Sequence, residues 1–98
     1  MIQTDRLPVK FSWDENKRVR NITEHGLDFA EVEAHFDLNA ALIMPSYPGL
    51  GGRARFKATG PMRQRLVVLV FSRLGTKAIA IISLRPANQK ETRLYGQS

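Results

Sequence analysis

The sequence predicts an α+β protein in which two N-terminal helices and a short C-terminal helix pack on a mostly antiparallel β-sheet. Three observations favour this class. Residues 14–36 contain two capped segments with apolar residues at helical spacing. Residues 40–84 contain four short apolar or alternating runs separated by Gly and Pro. Short turns join the last three runs, which predicts an antiparallel meander and the element order β-α-α-β-β-β-β-α.

The N-terminal elements follow from local signals. A loose tail is expected up to residue 8, followed by a short alternating strand over residues 9–13. Asp14 is suited to cap a helix that ends at Gly26, because glycine readily adopts the left-handed conformation found there. A second helix is predicted from Asp28, with Glu31 as its capping-box partner. Three residues of this helix fall on one stripe that faces the core: Phe29, Val32 and Phe36.

The remaining elements are punctuated by proline and glycine. They are predicted strands over residues 40–44, 53–58, 65–71 and 77–84, and a helix over residues 87–95. Pro45 ends the first of these strands, and Gly60-Pro61 predicts a turn after the second. Pro86 would occupy the first turn of the helix and Gly96 would end it.

Length and composition exclude several classes. The 98 residues suit a single domain over residues 1–98, and the absence of cysteine excludes a disulfide scaffold, a thiol nucleophile and cysteine-containing zinc sites. No apolar run approaches the roughly 18 residues of a membrane-spanning helix. The first ten residues lack the pattern of a signal peptide, so we expect a soluble cytoplasmic protein with no membrane partner.

The charge is distributed unevenly along the chain. Residues 1–52 carry 5 basic and 8 acidic side chains, whereas residues 53–98 carry 10 basic side chains and one acid, Glu91. A half with so little negative charge is typical of proteins that bind polyanions such as nucleic acid. A solvated basic face that keeps a small protein soluble is the alternative.

The strand over residues 53–58 is the most basic element. Its alternation places Arg53, Arg55 and Lys57 on one face, about 7 Å apart, which resembles the spacing of phosphates along a nucleic-acid strand. Further cations lie at neighbouring turns and at the end of the last strand: Arg63, Arg65, Arg73 and Arg85. Charges that protect an edge strand from aggregation would produce the same pattern.

The residues do not predict a metal or cofactor site. His25 and His35 fall on different predicted elements, and the glycines at 49, 51 and 52 lack the Lys-Ser/Thr of a phosphate-binding loop. RNA cleavage by the neighbouring 2′-hydroxyl needs only proton transfer and cations around the phosphate. His25 could transfer a proton, and Glu91 and Tyr95 share a helix face. Alternatively, His25 caps its helix, Glu91 pairs with Lys90 or Arg93, and Tyr95 belongs to the core.

Two motifs at opposite ends of the chain resemble the BrnT family. The first is F-S-W-D-E-N-K over residues 11–17, followed by Asn21 and by H-G-L-D-F over residues 25–29. The second is I-I-S-L-R-P-A over residues 81–87, followed by Glu91, Arg93 and Tyr95. Their separation means that the resemblance covers nearly the whole chain.

The resemblance implies a RelE-like fold and a toxin of a bacterial type II toxin–antitoxin pair, a ribonuclease that blocks translation. It implies a BrnA-type antitoxin with a ribbon-helix-helix domain, whose complex with the toxin binds operator DNA. The family positions expected at the RNA-cleaving face are Lys17, His25, Arg55, Arg85, Glu91 and Tyr95. RNA contacts are expected from Arg53, Lys57, Arg63 and Arg65.

The sequence departs from the family pattern at several positions. Ala54 stands where the family usually has an acid, and Ala80 stands where it usually has an arginine. Leu84 and Pro86 also replace more typical residues. Loss of a family arginine would remove one charge-assisted phosphate contact. A weakly active or inactive homologue, acting as an antitoxin-binding module in operon repression, is therefore the alternative function.

Overall fold

The computed structural model describes residues 10–97, so the predicted tail and Val9 lie outside the described residues. The strands are β1 (Lys10–Trp13), β2 (Leu42–Ser46), β3 (Arg55–Met62), β4 (Arg65–Leu74) and β5 (Ala78–Pro86). The helices are α1 (Glu15–His25), α2 (Val32–His35) and α3 (Gln89–Gly96). Single 3-10 turns cover Phe29–Glu31, Leu38–Ala40 and Leu50–Gly52. The predicted α+β class is confirmed.

The five strands form one mixed sheet in the order β1-β5-β4-β3-β2. The strands β3, β4 and β5 pair antiparallel in sequence order, as the meander predicts, and β2 pairs antiparallel with β3. The first strand, β1, instead pairs in parallel with the last strand, β5. The expected mostly antiparallel sheet is therefore wrong, because the alternation of a strand carries no information about its partner or its direction.

The second predicted helix is shorter than expected. The Asp28 side chain accepts a hydrogen bond from the Ala30 backbone, but the segment forms only the 3-10 turn and the four-residue α2. The Glu31 side chain contacts Arg63 and closes no capping box. Phe36 already has an extended backbone and pairs with Met62 of β3, which ends the helix. The helical part of the fold therefore differs from the predicted one.

Proline positions explain the other corrected boundaries. β2 contains Pro45, which an edge strand tolerates because one of its sides has no hydrogen-bonding partner. β3 continues through Gly60 and Pro61, since β2 pairs only as far as Thr59 and Phe36 pairs only with Met62, which leaves that side of β3 open at the proline. Pro86 pairs with Val67 in the sheet, so α3 begins at Gln89, two residues after the predicted helix start at residue 87.

The two faces of the sheet differ. One face packs against the 29–36 segment, and the predicted stripe of Phe29, Val32 and Phe36 is buried there, as expected. The opposite face carries the side chains of Arg55, Lys57 and Ser83, and α3 packs beside them. We call this second side the basic face.

Candidate functional site

A buried asparagine attaches α1 to the basic face. Asn21 is 5% exposed; its amide donates to the carbonyls of Leu27 (2.9 Å) and Leu84 (2.8 Å) and accepts from the Leu84 N–H (3.0 Å). The β1 strand pairs with only the first four residues of β5, so this amide takes over as the hydrogen-bonding partner where β1 has ended. Because Lys17 and His25 lie one helical turn before and after Asn21, the same contact positions both of them.

Three predicted site residues meet beside α1. Lys17, His25 and Arg55 line one depression of about 290 Å³, together with Glu24 and the β5 residue Ser83. An adjoining depression of about 390 Å³ is lined by Arg53 as well as by Lys17 and Arg55. We call the two together the basic depression. The predicted strand over residues 53–58 begins only at Arg55, so Arg53 precedes β3 and the row of cations on the strand is reduced to Arg55 and Lys57. Lys17 and His25 of α1 lie beside Arg55.

The Arg55 side chain is packed beneath the loop that precedes β3. A Cβ atom placed on Gly49 would lie 2.7 Å from Arg55 Nε and 2.8 Å from Nη2, so only glycine leaves room for this guanidinium. The Gly49 N–H donates to the Arg53 carbonyl at 2.9 Å, which closes the loop around it. The sequence shows only that this glycine lacks the context of a phosphate-binding loop, and it gives no signal for the contact, which joins residues on different elements.

A second group of charges is centred on Glu91 of α3. Its Oε1 accepts hydrogen bonds from Arg85 Nη1 (2.8 Å) and the Asn88 N–H (2.9 Å). Its Oε2 accepts from Arg85 Nη2 (2.8 Å) and Lys57 Nζ (3.0 Å). The Asn88 side chain accepts from the Glu91 N–H in return, which forms a capping box at the start of α3.

These contacts define the chemistry of the Glu91 carboxylate. It is 4% exposed, and the Arg85 guanidinium, helped by the Asn88 N–H and Lys57, lowers the pKa of Glu91 to about 2 against the opposing effect of burial. An anion held in this way is a poor proton acceptor near neutral pH. The alternative pairings of Glu91 with Lys90 or Arg93 are not the ones found. The carboxylate orients Arg85 and Lys57.

The structure separates other predicted site residues from this face. Arg63 lies at the β3–β4 turn, where Nε is 3.3 Å from Glu31 Oε1 and Nη2 is 3.1 Å from His35 Nε2. Arg65 is an exposed residue at the start of β4, and its alternation places it on the side of the sheet that the 29–36 segment covers. Neither residue joins the basic depression. The expected contribution of both to one RNA surface is therefore revised.

The last candidates are found on α3 and among the departures from the family pattern. Tyr95 is half-buried one helical turn after Glu91. Ala80 lines the basic depression, so the missing family arginine would have extended into it. Ala54 is exposed, and its carbonyl accepts a hydrogen bond from Ser72. Within residues 10–97, no three His, Cys, Asp or Glu side chains are grouped to hold a metal ion.

Comparisons with known proteins agree with these observations. Residues 13–91 match a family model described as the ribonuclease toxin, BrnT, of type II toxin–antitoxin systems. The 1.1 Å crystal structure of the Brucella abortus ribonuclease toxin BrnT is similar, with a TM-score of 0.68 and 35% sequence identity. The similarity covers 83% of this chain and 99% of that one. No curated protein matches. In the described part of the chain, no helix has the length and apolar character needed to span a membrane.

Proposed function

Because the chain belongs to the BrnT family of ribonuclease toxins of type II toxin–antitoxin systems, we propose that it is a metal-independent endoribonuclease. The observation that carries the proposal is the meeting of Lys17, His25 and Arg55 in the basic depression. An anionic RNA backbone would find there the His25 imidazole beside four basic side chains, Lys17, Arg20, Arg53 and Arg55. Histidine is the side chain that most often serves as a general acid or base.

The proposed reaction is attack by a ribose 2′-oxygen on the adjacent phosphorus. A base removes the 2′-hydroxyl proton, the bond from phosphorus to the 5′-oxygen breaks, and that oxygen takes a proton as it leaves. We assign these proton transfers to His25 and Tyr95. Lys17 and Arg55 would stabilise the negative charge that develops on the phosphate oxygens, an effect that is large where the cations are already in place.

Glu91 and the groups that bind it, Arg85, Lys57 and Asn88, support the proposed cleavage site by holding cations in position. The carboxylate is ionised and accepts four hydrogen bonds, so we assign it to positioning, and its expected direct part in catalysis is revised. A bidentate contact of this kind fixes the plane of the Arg85 guanidinium. Arg85 would contact phosphate, while Arg53 and Lys57 would bind the RNA strand on either side of Arg55.

The cellular setting of the proposal follows from the family. A type II system implies an antitoxin protein as partner. We propose a BrnA-like antitoxin with a ribbon-helix-helix domain, whose complex with this chain binds operator DNA. Cleavage of cellular RNA in the cytoplasm would then inhibit translation until the antitoxin covers the basic face.

The test is cleavage of a mixed-sequence RNA by the purified protein in the presence of EDTA. We expect fragments from the wild type and a rate about 100-fold lower for Arg55→Ala, the size of loss seen when one transition-state donor is removed. Arg63→Ala is the matched control, because it removes the same group from the opposite side of the sheet. Intact RNA with the wild type, or equal rates for the two variants, would contradict the proposal.

The second candidate function is a weakly active homologue that binds the antitoxin and acts in operon repression. Ala80 favours it, because this residue leaves the basic depression without the family arginine. We expect Ala80→Arg to raise RNA cleavage about tenfold by adding one charge-assisted contact. Ala34→Arg adds the same charge to α2 and should change nothing. A wild type that binds the antitoxin without cleaving RNA or arresting growth would support this second function.

A further inference from the structure

An apolar groove adjoins the cations of β3 on the basic face. It lies between the edge strand β2 and helix α3 and has a volume of about 430 Å³. Its apolar walls come from Leu42 and Met44 of β2 and Leu94 of α3. Two lysines, Lys57 and Lys90, lie along it. Concave, largely apolar surfaces with a few polar groups are the usual form of ligand sites. We call this the β2–α3 groove.

Tyr47 is the exposed aromatic residue of this groove. It lies just after β2, lines the groove, and exposes 88% of its surface, compared with 37% for the neighbouring Met44. The packing of this protein therefore leaves the ring available to a ligand. An exposed ring beside an apolar groove provides a surface on which an unstacked nucleic-acid base can stack.

The charges of the groove favour a polyanion as its occupant. Its acid, Glu91, is bound by two cations, Arg85 and Lys57, and Lys90 adds a third positive charge, so the groove keeps a positive balance. Lys57 belongs both to this groove and to the row that continues to Arg55 and the basic depression. A nucleotide whose phosphate lies at Lys57 therefore has its base within reach of Tyr47.

We propose that the β2–α3 groove binds one unstacked base of single-stranded RNA, which stacks on Tyr47. The inference rests on the proposed function, since it assumes that RNA lies along the basic face. It adds a site for base recognition beside the site of cleavage. Single-stranded RNA is the substrate class that it names, because a base that is paired in a duplex cannot enter the groove.

The test measures binding of short fluorescent RNA oligonucleotides whose riboses are 2′-O-methylated, so that no 2′-hydroxyl is available for cleavage. We expect Tyr47→Ala to weaken binding about tenfold, the effect of losing one base–aromatic stack. Tyr47→Phe keeps the ring and should bind like the wild type. Val19→Ala is the control, because Val19 is an apolar residue of α1 that is 52% exposed and lies outside the groove.

Oligonucleotides with an abasic site at each position in turn identify the bound base. One position should weaken binding by the wild type and should cause no further loss in Tyr47→Ala. Equal affinities for Tyr47→Ala and the wild type, or an abasic scan without such a position, would overturn the inference. The groove would then be assigned to another occupant, an acidic segment of a protein partner.

The outcome is separable from that of the proposed function. If the wild type and Tyr47→Ala cleave RNA at equal rates and bind the oligonucleotides with equal affinities, the proposed base site is refuted and the proposed ribonuclease activity stands. If the wild type cleaves no RNA but Tyr47→Ala binds the oligonucleotides more weakly than the wild type, the proposed ribonuclease activity is refuted and the proposed base site stands.

Discussion

At the scale of single residues, Glu91 shows what a family motif can and cannot predict. The motif identified the residue, but the local sequence suggested a group for proton transfer or a partner of Lys90 or Arg93. Its cationic partners come instead from β3 and β5, and one of them, Lys57, lies 34 positions away in the chain. Spacing along a helix cannot reveal such contacts. Removal of one partner from a buried ion pair is costly because the other charge then remains buried and unpaired.

The lowered pKa of Glu91 predicts a specific acid sensitivity. The pKa falls from 4.5 to about 2 on folding, so the unfolded chain binds the proton more readily than the folded chain. The resulting stabilisation is fully present above about pH 4.5 and is lost as the pH falls towards 2. It corresponds to about 3 kcal/mol. The free energy of unfolding, measured with urea from pH 7 to pH 2, should therefore fall less steeply for Glu91→Gln than for the wild type.

A surface carboxylate provides the comparison for this experiment. The pKa of Glu15 is lowered chiefly by its hydrogen bond to Arg18, but its side chain is 64% exposed. Solvent screens such a pair, so Glu15→Gln should leave the pH profile close to that of the wild type. Parallel profiles for Glu91→Gln and the wild type would mean that the buried cluster does not couple to acid unfolding.

At the scale of elements, the sequence predicted α1 well because both of its ends are fixed locally. The Asp14 side chain accepts from the Lys17 N–H, and Gly26 has the expected left-handed backbone with φ of 69°. The early end of α2 depends instead on Phe36 pairing with a distant strand. The parallel position of β1 likewise depends on β5, at the other end of the sequence. Contacts between distant segments decided each element that was predicted incorrectly.

The contact between Gly49, in the loop before β3, and Arg55 predicts a substitution that lowers activity without lowering stability. Gly49 has φ of −80° and ψ of −175°, a backbone that alanine also adopts, so Gly49→Ala should leave stability nearly unchanged. The added Cβ would displace the flexible end of Arg55, and we expect RNA cleavage to fall about tenfold, the cost of one misplaced charge-assisted contact. Measurements of kcat/KM and of thermal unfolding on the same preparations would test both statements.

Gly96→Ala is the matched control for that substitution. A Cβ atom at Gly96 meets no other atom within 4 Å, so the change in composition is the same but Arg55 is undisturbed. Equal activities of the two glycine variants would show that the loop does not position the Arg55 guanidinium. A large loss of stability in Gly49→Ala would show that the loop responds by moving its backbone.

At the scale of the whole molecule, ion pairs reduce the positive charge that the basic half of the sequence offers to a ligand. Lys57 and Arg85 of the basic half are engaged by Glu91, and Arg63 is paired with Glu31 of the acidic half. Arg53, Arg55 and Lys17 remain together at the basic depression. The sequence predicted the sign of the surface correctly, but the positions of these partners could not be predicted without the fold.

The salt dependence of RNA binding tests this distribution. Each phosphate neutralised on a single strand contributes about −0.7 to the slope of log K against log salt concentration. We expect Arg55→Ala to reduce the magnitude of that slope by about 0.7, and Arg63→Ala to leave it unchanged because Glu31 already holds Arg63 away from the basic face. The measurement is oligonucleotide affinity over a series of salt concentrations. If the slope is reduced equally in both variants, RNA binding depends on the net charge of the basic half. The position of each cation in the fold would then make no difference to RNA binding.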